Sequence, residues 1–402
     1  MGARLMRLPS TLELWRAMPS WIQDPLSVAI ARFKGERVPG PPSPADRPIR
    51  LMIAPANYAG QGYRWARAVE ANPRVAAMNM VYDSINPFGY PVDYPVPGRI
   101  AGHSRRWQKA QLATIIQRFT HMLIEAEMQP LGSLFGGDVV AQARAIRDGG
   151  VRIGMVCHGS DIRLPSRHAA ADPWSPFHND EWVPVAALEK VVLGNLRVLG
   201  DLGAPTFVST PGLLLDVPDA HLLPVVIDPE VWVQPTPILE RVRPRVLHVP
   251  SNPLVKGTAE ITPTLTRLHE EGIIEYATVS NVTHAEMPTL FGGADVVLDQ
   301  FRLGDYGVAA CEVMASGRLV VSHVSEQARA AVVAETGIEL PVVEADIGSL
   351  EGVLRDVVAR REHYRSVAAA GPSFVRQVHD GRMSRRVLEN RLLFASGESV
   401  QP

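Results

Sequence analysis

Lys256, Gly257 and Thr258 stand between an apolar run, Arg245–Val249, and the start of a helical pattern, after a loop bearing Pro250, Asn252 and Pro253. A lysine so placed can meet a diphosphate as a compact point charge. The stretch DQFRLGDYGVAACEVMASG, residues 299–317, offers the other half of an anion site. Gly304 and Gly307 bracket Asp305 and Tyr306, a helix is expected from Val308 to Ser316, and Gly317 reads as its stop. The first-turn N–H groups of such a helix can hold phosphate oxygens. Glu312 falls among Cys311, Val313, Met314 and Ala315. A carboxylate in that company needs a partner or a ligand, and ribose hydroxyls would satisfy it.

Two further constellations follow apolar runs nearer the N-terminus. HGSDIR, residues 158–163, gathers His158, Ser160, Asp161 and Arg163 at one strand end. His158 and Asp161 are candidates for the reacting centre, and Arg163 for a pair with Asp161 or a phosphate. A turn capped by Asp161 and a backbone bond from His158 are the plainer alternatives. In APANYAGQGYRWARAVE, residues 54–70, Gly60, Gln61 and Gly62 form a loop whose glycines let the backbone turn sharply and approach a ligand. It falls short of a full G-x-G-x-x-G, and a tight strand-to-helix turn explains it equally well. Asp83 is the one acidic candidate for a dinucleotide ribose there.

The elements that must hold these loops come in two rounds. Apolar runs at Arg50–Ala54, Ala76–Tyr82, His121–Ala126, Arg152–Cys157 and Thr206–Ser209 alternate with helical patterns that include Tyr63–Ala71, Val139–Asp148 and Val185–Leu202. A second round has runs at Arg245–Val249, Ile274–Val279, Asp295–Phe301, Leu319–Val324 and Leu340–Glu344. Its helices are expected over 259–271, 285–292, 308–316, 325–335 and 347–370. The runs are continuous rather than alternating, which fits strands covered on both faces. Two doubly wound parallel α/β sheets follow. The pattern lapses at LLPVVIDPEVWVQPTP, residues 222–237. The expected division is therefore an N-terminal extension and Pro/Gly-rich linker (1–47), a first Rossmann-like domain (48–228) and a second (229–373). A helix over 374–394 crosses back to the first domain.

Length and composition agree with two domains. The chain has 402 residues, 46% of them hydrophobic, with a formal net charge of −2. That balance gives no basic surface for nucleic acid. The two cysteines, Cys157 and Cys311, match no metal spacing. They read as core residues of a reduced, cytoplasmic protein. No apolar run approaches the ~20 residues of a membrane span. Trp15, Trp21, Ile22 and Phe33 suit an extension packed on its own protein, with a surface-seeking segment as the alternative.

HVPSN…KGT, DVVLDQFRLGDYG and EVMASGRLVV together resemble the donor-binding half of retaining glycosyltransferases of the GT-B fold, two Rossmann-like domains facing a cleft. The nearest likeness is to the large group related to glycogen and sucrose synthases found in bacterial polysaccharide clusters. HGSDIR and VSTPGLLLDVPDAHLLPVVID resemble its first half, and the likeness runs over residues 50–375. It implies a nucleotide-diphosphate sugar donor held by the second domain, with Lys256 and Asn252 at the diphosphate. Gly304, Asp305, Tyr306, Gly307 and Val308 form the phosphate and sugar loop, and Glu312 takes the ribose. His158 lies against the donor sugar, and Gly60–Gly62 reach the phosphate or acceptor. The acceptor is a glycan, lipid-linked or small molecule, and a lipid-linked one goes with peripheral membrane association. Position 304 is glycine where the group often has glutamate, leaving Asp305 as candidate replacement. Ser251 and Asn252 stand where it often has arginine, leaving Arg302 as candidate supply.

The resemblance also implies hexosyl transfer with retention. No Asp-x-Asp-like cluster ends a strand, so no metal and no cofactor beyond the co-substrate is expected. Lys256 and the helix start neutralise the leaving group. The competing readings are a sugar-nucleotide epimerase or hydrolase of related fold, and a degenerate nucleotide-binding partner subunit.

Overall fold

The computed structural model describes residues 18–35, 38–83, 89–280 and 282–394; Trp15 of the expected extension lies outside them. Seven strands form one sheet: β1 (Ile49–Ala54), β2 (Val75–Tyr82), β3 (Tyr94–Val96), β4 (His121–Glu125), β5 (Arg152–Cys157), β6 (Thr206–Val208) and β7 (His221–Leu222), in the order β3-β2-β1-β4-β5-β6-β7. Five form the other: β8 (Arg245–His248), β9 (Glu275–Thr278), β10 (Val296–Leu298), β11 (Leu319–Ser322) and β12 (Val343–Glu344), in the order β12-β11-β10-β8-β9. Both sheets are parallel; in the second, for example, Val296 of β10 lies between Val246 of β8 and Leu319 of β11. The two Rossmann-like halves expected from the alternation are therefore present.

The second sheet shows why its strands read as unbroken apolar runs. Val246, Val296, Leu298, Leu319 and Val321 face one core, while Leu247, Val297 and Val320 face the other. With period-two side chains and helices on both faces, every position is inside. Each such side chain contributes about 1.5–3 kcal/mol of burial.

The chain divides into two compact units. Of the described residues, one unit comprises those up to Ala66 together with those of Asn72–Ile153; the other comprises Arg67–Ala71 with those from Gly154 onward. The second unit thus holds β6, β7 and the whole five-stranded sheet.

Helices Val139–Asp148 and Val185–Leu202 lie where expected. The helix expected over 347–370 is two, Leu350–Ala359 and Arg361–Val378, because Arg360 leaves helical geometry at φ −116°, ψ 48°. The single helix expected over 374–394 also breaks. It stops at His379, turns at Gly381 (φ +94°) and resumes at Arg382–Leu388. A Cβ at Gly381 would stand 3.0 Å from the Ala68 Cβ, so the turn needs glycine. The returning segment is pinned by Ser384 Oγ donating to Pro224 O (2.8 Å) and by Leu392 against Gly154 of β5.

Candidate functional site

In open parallel sheets, ligands bind beyond the carboxyl ends of the strands where the strand order reverses. In the five-stranded sheet that point lies between β8 and β10. The loop after β8 carries Lys256 and the loop after β10 carries Gly304–Gly307, so sheet topology alone brings the two stretches to one place.

Asn252 ends the β8 loop as an N-cap, its Oδ1 accepting the Leu254 N–H at 3.2 Å. Lys256 is the last residue of the short helix Pro253–Lys256. Gly257 follows at φ +72°, where a Cβ would meet the Phe301 Cβ at 3.2 Å. Lys256 Nζ is paired with the Asp299 carboxylate, the residue just beyond β10. Asp299 therefore aims the ammonium across the strand ends. His248, at the end of β8, stays neutral beside it. Burial pushes its pKa down to about 4, with the bond at Leu298 O opposing and the Lys256 charge adding to the fall. Its Nδ1 donates to Leu298 O (3.2 Å), which leaves Nε2 to accept the Thr258 hydroxyl (2.8 Å).

Beyond β10 the chain is fixed from several sides. Gly304 has φ +58°, and a Cβ there would lie 3.3 Å from Asp172 Oδ2 and 3.5 Å from His323 Nε2. Asp305 is not open to a sugar. Its Oδ2 accepts from Arg163 Nη2 (3.0 Å), Thr210 Oγ1 (2.7 Å) and the Gly212 N–H (3.1 Å), and its Oδ1 from the Tyr306 N–H (3.0 Å). Arg163 thus pairs with Asp305 and not with Asp161, and both side chains are nearly fully buried. Arg302 is likewise engaged, donating to Trp174 O, Leu254 O and Ser175 O and pairing with Glu260 at 3.2 Å. It ties the loop to the segment after helix Pro165–Ala171 and is not a loose clamp.

Tyr306 turns inward. Its hydroxyl lies 3.2 Å from His379 Nε2, its ring stands edge-on to Phe374 and His379, and burial drives its pKa well above the usual value. Gly307 caps the helix Val308–Ala315, and a Cβ on it would meet nothing within 4 Å. The space at that helix start is open, and its first-turn N–H groups and dipole favour an anion. Glu312 lies one turn on. Its side chain is 5% exposed, and its Oε1 sits 2.8 Å from Nε2 of His284, a side chain 45% exposed. His284 stands edge-on to the buried Trp232 at 5.3 Å. Cys311 is a core thiol, its pKa pushed well up by burial and by the charges of Glu312 and Asp299.

The HGSDIR loop is organised by Asp161, whose carboxylate accepts the N–H groups of His158 (2.8 Å) and Gly159 (2.5 Å). Asp161 spends both oxygens on the turn, while half-buried His158 heads it. In the first unit, Gly60 has φ +74°, and buried Gln61 donates to Ala59 O at 3.2 Å. A Cβ at Gly62 would stand 2.5 Å from Asn79 Nδ2 and 3.0 Å from Glu125 Oε2. That glycine permits the close approach of the first helix turn to β2 and β4. Asp83, by contrast, is exposed.

His284, Trp232, the pairing role of Asp299 and the cluster in which His323 lies 3.1 Å from Asp172 Oδ2 and 2.7 Å from Glu344 Oε1 escaped the sequence reading. Only THAE, residues 283–286, carried a signal: its capping box, with both Thr283–Glu286 bonds present, fixes a helix start and with it His284.

No family model matches the chain, and no curated protein matches it in sequence. Solved structures match in fold. Sucrose-phosphate synthase from Thermosynechococcus elongatus aligns with a TM-score of 0.53 at 13% identity, over 85% of this chain and 98% of that one. Anabaena HepE in complex with UDP and glucose gives 0.50 at 13% identity, over 86% and 99%. HepE in complex with UDP gives 0.50 at 13%, over 85% and 99%. At this identity the likeness is one of fold, and the fold is GT-B.

Proposed function

We propose that the chain is a glycosyltransferase of hexosyl type that takes its sugar from a nucleotide-diphosphate donor. One observation carries the reading: the buried Glu312 carboxylate one turn into the helix Val308–Ala315, whose open start lies at the strand-order reversal of a GT-B donor-type sheet. Glu312 would accept from ribose hydroxyls and the helix start would hold the diphosphate, with Lys256 beside it. The fold likeness to a sucrose-phosphate synthase and to a protein holding UDP and glucose supports the same class.

In the reaction the bond between the anomeric carbon and the diphosphate oxygen breaks. An acceptor hydroxyl forms the new bond at that carbon and passes its proton to the leaving diphosphate. Negative charge grows on the leaving oxygen, and groups already aimed there stabilise it without reorganising. Asp299 holds Lys256 ready for that task. The sequence resemblance adds retention of configuration and assigns His158 to the donor sugar and the Gly60–Gly62 loop to the acceptor or a phosphate. With no Asp-x-Asp-like cluster at a strand end, charge neutralisation falls to Lys256 and the helix start in place of a divalent metal. A nucleotide-binding subunit without turnover is the second reading, favoured by Gly304 and by the full hydrogen-bond complement of Asp305.

A thermal-shift screen over nucleoside diphosphates and nucleotide sugars identifies the donor, because binding to the folded state raises its stability. Nucleoside diphosphate release is then followed with and without an acceptor panel, in the presence and absence of EDTA. Acceptor-dependent release that survives EDTA is expected. Conversion of the donor without any acceptor indicates an epimerase or hydrolase, and binding without turnover indicates the second reading.

A further inference from the structure

The helix Ser20–Phe33 turns its apolar side outward. Ser27 and Ala31 are fully buried (0%), and with Asp24 they mark the inner face by helical spacing. The opposite arc carries Trp21, Ile22, Pro25, Leu26, Ile30 and Phe33. Trp21 is 75% exposed, Phe33 94% and Leu26 37%. A surface helix that only covers a core does the reverse, putting its polar arc in water. The helix packs on its own protein from the Ser27 side, which leaves Trp21 and Phe33 exposed and Ile22 half-buried.

Charge surrounds this arc on one side of neutrality. The Asp24 carboxylate accepts the Arg106 N–H at 3.2 Å, which seats the start of helix Arg105–Arg118 beside the Trp21 end. Arg105 and Arg106 are exposed there, and Lys34 is exposed at the Phe33 end. Lys34, Arg105, Arg106 and Lys109 are exposed here, and Asp24 is the one acidic residue of 18–35 and 98–110, in a chain with 40 Lys+Arg and 42 Asp+Glu.

We propose that this face docks on an anionic lipid bilayer, with the helix lying in the plane of the interface. Trp and Phe settle at the boundary of headgroups and acyl chains, and the flanking cations meet anionic headgroups. Among the described residues no helix is long and apolar enough to cross a membrane. A second copy fits the same face less well, since self-apposition would set Arg105 and Arg106 near their own counterparts with only Asp24, already bonded to the Arg106 N–H, to receive them.

The test is co-sedimentation of the full chain with large vesicles of phosphatidylcholine, with and without phosphatidylglycerol, at low and high salt. Binding is expected only with phosphatidylglycerol, weakened by salt. Trp21→Ser/Phe33→Ser should lower partitioning at least about tenfold. Arg105→Gln/Arg106→Gln should lower it about fivefold per cation removed. Far-UV circular dichroism of each variant should match the parent, as these side chains are exposed. The proposal is overturned by absence of binding to either vesicle, or by binding that the Trp21/Phe33 change leaves intact. It is equally overturned by a dimer that the same change converts to monomer, which would show that a second copy covers the face.

Discussion

Removing the Arg163 guanidinium should cost the second unit more than any surface change. Arg163→Met deletes a cation whose side chain is 6% exposed, beside an Asp305 side chain 3% exposed, at 3.0 Å. Stripping one partner from a buried pair costs about 3–5 kcal/mol, because the remaining charge is left in a medium that solvates it poorly. Asp305 keeps three neutral donors, from Thr210, Gly212 and Tyr306, so the lower half of that range, about 3–4 kcal/mol, is the expectation. A cooperative unit near 250 residues shifts by about 2 °C per kcal/mol, giving a fall of about 6–8 °C in Tm. Urea unfolding should show a lower midpoint at unchanged slope. Arg163→Met/Asp305→Asn removes both charges and should recover at least about 1.5 kcal/mol of the loss, a coupling measured by the double-mutant cycle. A single-variant loss below about 1 kcal/mol, or no coupling, would refute the claim that this pair closes the Gly304–Gly307 loop.

Three other outcomes follow from the same packing. Burial alone would lower the His323 pKa, but its bonds to Asp172 and Glu344 and their charges outweigh that and raise it to about 9. A raised histidine contributes stability that is complete below about pH 6.5 and lost as pH climbs through 9; Tm between pH 6.5 and 9.5 should fall more in the parent than in His323→Asn. Gly62→Ala should destabilise by about 1–3 kcal/mol in thermal unfolding, since its Cβ would stand 2.5 Å from the buried Asn79 amide. His284→Ala should weaken nucleoside diphosphate binding by freeing the Glu312 carboxylate to turn, while His284→Gln, which can still donate, should restore part of it in calorimetry.

The architecture was legible because burial on both faces writes itself locally. A strand such as Val296–Leu298 must be apolar at every position when alternate residues enter different cores. Helix Val139–Asp148 was legible from its period. What escaped were choices made by distant partners. Arg163 and Asp305 are 142 residues apart, and nothing beside either one says that they meet. Arg302 read as a free cation because the carbonyls of Trp174 and Ser175 leave no trace in its own neighbourhood. The break at His379 follows from its bonds to Val225 O and Ile227 N–H across the molecule, which fix the chain where periodicity alone continues the helix. The outward face of Ser20–Phe33 has an apolar pattern that a core helix shares, so only the side on which contacts form could separate the two.

The measurement that bears most directly on the proposed activity is calorimetric binding of the nucleoside diphosphate selected by thermal shift, compared with its 2′,3′-dideoxy counterpart, to the parent chain and to Glu312→Gln. A hydrogen bond to a charged acceptor is worth about 1.5–3 kcal/mol. The parent should therefore prefer the ribose form by about 10- to 150-fold, and Glu312→Gln should erase most of that preference while keeping the fold. Equal binding of the two forms by the parent would contradict the assignment of this carboxylate, and with it the donor site drawn around Lys256 and Gly307.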